Sequence, residues 1–492
     1  MRLRRGVLVA TTCLLLAACG TRLDPSVVAA AGGTGAGSSS LQGGPAEPGT
    51  GFAGADGGTD TGGPVGDAGG DPADAETPAG AGPSAGEDAG PGGSDGSRAG
   101  AGSGSGSPAV TTKPETACTG LRNGTGISNA AITIGNASDI SGPVPGLFAE
   151  AREAVRAFVR YFNDSGSRIC GRRLELVSYD SRTDNGADQQ AYTRGCSEVF
   201  AMVGSMSGFD SGGARTAERC GLPDVRAIAT TRDRSACRTC WPAQPAGPDE
   251  FQNAVPDFIK RSYGGGQKAA MLYLKGGAAT ENGPAQVRHQ TKRGMKFVYT
   301  AGVDLAEFNY APYVQAMRER GVETVQFVAA APQFVRLAQA MQQQGFKPKL
   351  LLLDPTAYSP QYTEQAGSAA VGTVVFMNFT PFEEAARNEE LRLYLSYLRQ
   401  VNPSASPGFF GLFAWSAARL FAQEAARLGG DLDRASLVRA VSGVQSWTAN
   451  SLHSPQRVSQ KRVSECWRFV RWTGKTWESL QGRDYHCRGT TR

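Results

Sequence analysis

Ile132-Thr133-Ile134-Gly135-Asn136-Ala137-Ser138-Asp139-Ile140-Ser141-Gly142-Pro143-Val144-Pro145-Gly146-Leu147, with the run behind it to Phe162, decides the fold. Ile132 and Ile134 sit two apart beside Thr133, the alternation of a short strand. Ser141, Gly142, Pro143, Pro145 and Gly146 form a turn cluster that stops it. Phe148, Val155, Phe158, Val159 and Phe162 then recur at spacings near three and four, which predicts one buried helical face. Strand, glycine-rich turn and helix open an α/β unit. The helix N-terminus and its loop present backbone N–H groups that can receive a carboxylate or another anion. The same residues also fit an ordinary strand-to-helix turn with no ligand, so the choice falls to the rest of the chain.

Upstream, Arg2, Arg4 and Arg5 precede an apolar run from Gly6 to Leu15, and Leu16-Ala17-Ala18-Cys19 closes it with small residues before a cysteine. The run is too short to span a bilayer. The tetrad resembles the lipobox of bacterial lipoproteins, which implies a signal peptide over 1–18, lipid on Cys19 and attachment to the extracytoplasmic face of the cell membrane. A secretory signal with a chance cysteine is the other reading. Within the next segment, 19–112, the chain from about Pro25 to Val110 is Gly, Ala, Pro, Ser, Asp and Thr with almost no large apolar side chain. Such a segment buries too little surface to offset the entropy of ordering, and reads as a tether. Its r.m.s. span is roughly 50 Å for ~90 residues.

The charge sits unevenly. The whole chain is +5; the leader contributes +3 (Arg2, Arg4, Arg5 and Arg22 against Asp24) and the tether −9 (ten acids against Arg98), so +11 falls on residues 113–492. No basic run is interleaved with aromatics, so nucleic acid is not an expected partner. A basic surface suits anionic lipid or an acidic envelope polymer, and the excess of arginine over lysine also fits a GC-rich genome.

About 375 residues remain, enough for two domains. Strands are expected at Arg173 to Ser178, Phe200 to Gly204 and Val225 to Ala229, with helices at Asn185 to Glu198 and Ser211 to Cys220. A second series follows, with strands at Lys268 to Leu274, Lys296 to Tyr299, Thr324 to Val328 and Leu350 to Leu353. Its helices are expected at Gly283 to Arg293, Tyr310 to Arg320 and Pro332 to Gln344. Alternating strands and helices imply parallel sheets covered on both faces, and two series imply two doubly wound, Rossmann-like lobes of an α/β protein. In such sheets ligands bind beyond the carboxyl ends of the strands. Those ends carry Ser141 and Gly142, Ser205 to Phe209 (with Ser207 and Gly208), Thr230 and Thr231, Gly276 and Gly277, Ala329 to Pro332, and Asp354 to Tyr358. Each group is also ordinary turn and cap chemistry; their recurrence in both series is the informative part.

From about Ala131 to Leu480 the chain resembles the type 1 periplasmic-binding-protein family, in its leucine/isoleucine/valine-binding branch. Ile132-Thr133-Ile134-Gly135 with Ser141-Gly142-Pro143 matches the family's first strand and loop. Val203-Gly204-Ser205-Met206-Ser207-Gly208 matches the loop whose serine holds a ligand carboxylate. Phe308-Asn309-Tyr310-Ala311-Pro312-Tyr313 stands at a helix start, and Gly408 to Leu428 resembles the long late helix. The resemblance implies two lobes joined by three crossovers and closing on a small molecule: 113–252 plus 378–440, and 253–377 plus 441–487. It implies ligand contacts from Ser141, Gly142, Ser207, Gly208, Thr230 and Thr231, and from Thr280, Asp354 and Tyr358 across the cleft. The positions where amino-acid binders carry aromatics read Gly276-Gly277-Ala278-Ala279-Thr280 and Ala330-Ala331-Pro332 here.

Ten cysteines include Cys13 in the leader and Cys19; the other eight are an even number in an exported chain, which suggests disulfides. Cys196 and Cys220 end successive predicted helices, Cys118 and Cys170 precede strands expected to be adjacent, and Cys466 and Cys487 bracket a hairpin turning near Thr473-Gly474-Lys475. Cys237 and Cys240 are left, either as a structural bridge or as a redox Cys-Arg-Thr-Cys motif. His289, His453 and His486 lie far apart without metal-ligand spacing, and His289 reads as a surface residue of a helix. No nucleophile elbow or phosphate-binding loop is present. The expectation is a binding protein and not an enzyme, without metal or cofactor. It would be a lipid-anchored receptor handing a small polar molecule (amino-acid-like, amide or carboxylate) to an ABC permease. A sensor or regulatory module of the envelope on the same fold, working with an envelope enzyme, is the alternative.

Overall fold

The opening stretch becomes β1 (Ala131–Ser138) and α1 (Ala149–Asp164) in a computed structural model that describes residues 118–264 and 268–492. The expected signal peptide, the expected lipid site at Cys19 and the expected tether lie outside the described residues. Phe148, Val155, Phe158 and Phe162 are buried as their spacing requires, and Val159 is half-buried. β1 pairs in parallel with β2 (Arg173–Asp180), Ala131 opposite Arg173 and Ser138 opposite Asp180. After α2 (Asn185–Glu198) come β3 (Ala201–Val203), α3 (Ala214–Arg219) and β4 (Asp224–Val225), completing a four-stranded sheet in the order β2-β1-β3-β4.

The strand expected over Val225 to Ala229 is divided. β3 ends at Val203, so past Val225 the chain changes partner. Its second half, β5 (Ile228–Ala229), pairs with β6 (Gln244–Pro245) beyond α4 (Arg232–Ala236). β7 (Phe251–Gln252) then leads through α5 (Ala254–Tyr263) into the second series.

That series runs β8 (Lys268–Leu274), α6 (Gly277–Lys292), β9 (Lys296–Val303), α7 (Ala311–Glu319), β10 (Thr324–Val328), α8 (Ala331–Gln343), β11 (Leu350–Leu353), α9 (Pro360–Ala366) and β12 (Val374–Met377). α6 begins at Gly277 and not at Gly283, because Thr280 Oγ1 accepts the Gly276 N–H at 2.8 Å and ties down a first turn that reads as loop in sequence. Three helices follow, α10 (Glu389–Val401), α11 (Phe409–Leu428) and α12 (Arg434–Ser442), then β13 (Cys466–Trp472), β14 (Trp477–Leu480), β15 (His486–Cys487) and β16 (Thr490–Thr491). β8 to β12 pair in parallel, and the predicted hairpin adds β13, β14 and β15 antiparallel, so the second sheet is mixed. Leu350, Leu352, Val374 and Phe376 pack on one face with Phe258 of α5. Leu353, Val375 and Met377 pack on the other with the main core. A strand buried on both faces reads as a continuous apolar run, which is why Leu350 to Leu353 is four leucines.

The four expected disulfides are formed: Cys118–Cys170, Cys196–Cys220, Cys237–Cys240 and Cys466–Cys487. Cys237 and Cys240 are buried in the core beside Tyr192 and Leu222, as the structural reading expects. Among the described residues no helix is long and apolar enough to cross a membrane.

α10 and α11 pack against α1, with Trp415 edge-on to Phe158 at 5.1 Å between ring centres. Beside them buried Glu390 accepts hydrogen bonds from Arg419 Nε (2.6 Å), Trp415 Nε1 (2.5 Å) and Asn450 Nδ2 (2.9 Å). Removing one partner of a buried pair leaves the other charge uncompensated, at about 3–5 kcal/mol. Arg419→Ala is therefore expected to lower the urea midpoint by an amount corresponding to about 3–5 kcal/mol; an unchanged midpoint would refute this account of the cluster.

Candidate ligand cleft

The loops that follow β1, β3, β8, β10 and β11 converge on a cavity of about 230 Å³ between the two sheets. Its wall is mainly apolar, built from Leu147, Phe148, Phe209, Phe251, Phe409 and Phe410 together with small alanines. Polar side chains reach it at a few points, among them Thr230, Gln244, Asn282, Gln286, His289 and Asp354. Among the described residues no lysine or arginine lines it. A larger and more polar compartment of about 330 Å³ adjoins it, sharing Val144, Leu147, Thr356, Phe409 and Phe410, with Glu150 and Arg152 on its wall.

Of the residues singled out in the sequence, Gly208, Thr230 and Asp354 line the apolar cavity, and Tyr358 faces the polar compartment. Ser141, Gly142, Ser207, Thr231 and Thr280 line neither compartment: Ser207 and Thr231 are buried, and the other three are exposed. Ser141 Oγ donates to Asp180 Oδ2 at 2.6 Å. Gly142 has φ 103°, and a Cβ there would lie 2.2 Å from the Arg182 carbonyl, so glycine is needed for the loop to rest on the end of β2. Tyr358 donates its hydroxyl to Glu383 and accepts the Phe382 N–H at 2.7 Å.

Two buried carboxylates hold most of the remaining donors. Asp139 accepts from Ser181 Oγ (2.6 Å), Thr183 N (2.9 Å), Ser207 Oγ (3.1 Å) and Gly208 N (2.8 Å). Burial pushes its pKa up, and these four bonds oppose the shift. Asp210 accepts from Thr230 N (3.0 Å), Thr230 Oγ1 (3.2 Å) and Thr231 Oγ1 (2.6 Å). The hydroxyl and N–H groups that fit a ligand carboxylate in the sequence thus serve carboxylates of the chain itself. Asp354 accepts the N–H groups of Thr356 (2.8 Å) and Ala329, and burial raises its pKa to about 6. Glu250, also on the wall, is held below its ordinary pKa. Burial alone would raise it, but hydrogen bonds from Arg462, Thr490 and the Val463 N–H outweigh that.

His289 corrects the sequence reading most clearly. It is buried, and not a surface residue, because α6 turns the face carrying Asn282, Ala285, Gln286 and His289 toward the cavity. Spacings of three and four along 282–289 were the available signal; mixed polar and apolar character hid it. Gln244 was missed because it lies in a Pro-rich stretch, where β5 and β6 pair. Among the described residues no cluster of His, Cys, Asp or Glu has the geometry to hold a metal ion.

Hydrogen bonds close the cleft along one rim. Ala278 N donates to the Gly208 carbonyl (2.8 Å), and Asn282 Nδ2 to the Thr230 carbonyl (2.9 Å). Arg232 pairs with Glu281 at 3.7 Å. Gly277, φ 49°, makes this approach possible, since a Cβ there would lie 2.2 Å from the Gly208 carbonyl. Gly277→Val is expected to hold the rim apart and enlarge the radius of gyration in small-angle scattering; an unchanged radius would mean the rim closes by other contacts.

Glu150, at the start of α1, accepts the Phe410 N–H at 2.9 Å and thereby caps α11. Burial raises its pKa from 4.5 to about 7 against the bonds from Phe410 and Gly411. A raised carboxyl pKa favours folding at low pH, and that contribution is lost as pH rises from about 4.5 through 7. Glu150→Gln should therefore gain thermal stability relative to wild type as pH rises between those limits, measured as the Tm difference at about pH 3.5 and pH 8, roughly one unit outside the window. An equal difference at both would contradict the assignment.

A family model described as periplasmic binding protein matches residues 131–476. No curated protein matches the chain in sequence. Among solved structures, the fold is similar to a fatty acid ABC transporter substrate-binding protein from Thermomonospora curvata, with TM-score 0.63 and 17% identity over 75% of this chain and 95% of that one. It is also similar to a leucine-binding protein from Thermotoga maritima, with TM-score 0.60 and 14% identity over 71% and 97%. A solute-binding protein of an R. palustris ABC transporter, in complex with 4-hydroxybenzoate, gives TM-score 0.61 and 15% identity over 72% and 97%.

Proposed function

Because the chain belongs to the periplasmic binding protein family, whose model spans residues 131–476, we propose that it is the lipid-anchored receptor of an ABC importer. It captures a small molecule between its two sheets at the extracytoplasmic face of the cell membrane and presents it to the permease. The observation that carries this reading is the cavity itself, walled by loops of both sheets and closed along one rim by hydrogen bonds from α6 to Gly208 and Thr230. The lobes are 113–252 plus 378–440 and 253–377 plus 441–487. In support, the strands of the first sheet fall within 131–225 and those of the second within 268–377 and 466–487.

In this reading Gly208, Thr230 and Asp354 meet the ligand. Ser141, Gly142, Ser207, Thr231, Thr280 and Tyr358 set the loops that bring them there. Closure is a hinge motion, and the ligand must favour the closed state to drive it. Cys19 carries the lipid, and the acidic tether lets the receptor range from the membrane surface.

Tagged full-length protein, extracted from membranes in mild detergent, is expected to bring down permease and ATPase subunits. Cys19→Ala should shift it out of the membrane fraction. Recovery of an envelope enzyme without transporter subunits would instead support a sensor or regulator on the same fold.

A further inference from the structure

We infer that the cleft selects an uncharged ligand: a compact apolar body bearing one hydrogen-bond donor, a hydroxyl or an amide N–H. This deepens the receptor reading above and rests on it.

Charge is disfavoured on both signs. A carboxylate would meet no lysine or arginine among the described residues of the wall. The Gly208 N–H and Ser207 hydroxyl are taken by Asp139, and the Thr230 and Thr231 donors by Asp210. The N-terminus of α6 also faces the cavity, but it gives the Ala278 N–H to the Gly208 carbonyl. An ammonium would meet Glu250 and Asp354. Glu250 is already paired with Arg462, Thr490 and the Val463 N–H, and Asp354 with the Thr356 and Ala329 N–H groups. Bringing a charge to an apolar wall without a free partner is costly.

Among the described residues, three buried side-chain atoms on the wall have no partner: His289 Nδ1, Gln244 Oε1 and the Thr183 hydroxyl; the first two are acceptors, and the hydroxyl can accept as well as donate. His289, only 6% exposed, has its Nε2 3.0 Å from the Pro248 carbonyl. A carbonyl can only accept, so Nε2 carries a proton and donates; in the tautomer protonated there alone, Nδ1 is a lone-pair acceptor. Nδ1 has no hydrogen-bond partner. Gln244, 2% exposed, likewise has an Oε1 without one. Both residues line the cavity. Buried polar groups left unmade are costly, which gives a ligand donor its purchase there. The rest of the wall is apolar, and about 230 Å³ exceeds the roughly 150 Å³ that accommodates benzene, leaving space for one ring and a small substituent.

The test is a thermal-shift and calorimetric panel on the full-length chain with benzamide, benzyl alcohol, sodium benzoate, benzylamine and L-leucine. Benzamide and benzyl alcohol are expected to raise Tm, and the other three are not. His289→Phe and Gln244→Leu should each weaken benzamide binding about tenfold, the loss of one buried hydrogen bond. His289→Asn, whose Oδ1 replaces Nδ1 as an acceptor, should retain more of it, which separates hydrogen bonding from packing damage. Binding of benzoate, benzylamine or L-leucine with the neutral compounds silent overturns the inference, and so does silence from all five. In either case capture of the permease still decides the receptor reading separately.

Discussion

The Asp139 carboxylate is the fixed point of the binding face. It lies one residue past β1, buried, and accepts hydrogen bonds from the loops after β2 (Ser181, Thr183) and β3 (Ser207, Gly208). One desolvated charge thereby sets three loops in register. Asp210 repeats the device for Thr230 and Thr231 after β5, and Asp180, at the surface, does so for Ser141. A carboxylate in low dielectric binds its donors strongly and tolerates few vacancies, so such a network specifies one loop arrangement. The rim that meets α6 depends on it, since Gly208 and Thr230 supply the carbonyls that Ala278 and Asn282 reach.

The same networks give the cleft its chemistry. By engaging the hydroxyls and N–H groups at the strand ends, Asp139 and Asp210 leave the cavity wall to Leu147, Phe148, Phe209, Phe409 and Phe410. Phe409 and Phe410 open α11, whose start is capped by Glu150 and whose middle is locked by Glu390 to Arg419 and Trp415. Core packing and cleft shape are thus one system, with α11 as the shared element.

Much of the fold was legible in the sequence because it is carried by periodicity. The apolar stripe of α1, the leucine run of β11 and the paired strand-helix series read directly. The positions of six cysteines at element ends led to three bridges, and the two left over, Cys237 and Cys240, form the fourth. The changes came where tertiary contacts decide. The Val225 to Ala229 strand breaks because its neighbour ends, and α6 starts early because Thr280 closes its first turn. The site was legible only as a location. Ser207 and Thr231 stand at strand ends, as expected, but which acceptor takes their hydroxyls depends on Asp139 and Asp210 approaching in space. Nothing in linear spacing announces that. His289 was hidden for the opposite reason, since its helix face mixes Asn282 and Gln286 with Ala285 and has no simple apolar stripe.

The central claim is that the cleft holds a small uncharged molecule between the two sheets. Protein purified from its native membrane, denatured and analysed by mass spectrometry for what it releases, tests this most directly. The account predicts a single compact compound bearing a hydroxyl or an amide and no ionised group. Release of a free amino acid or a carboxylic acid would contradict it.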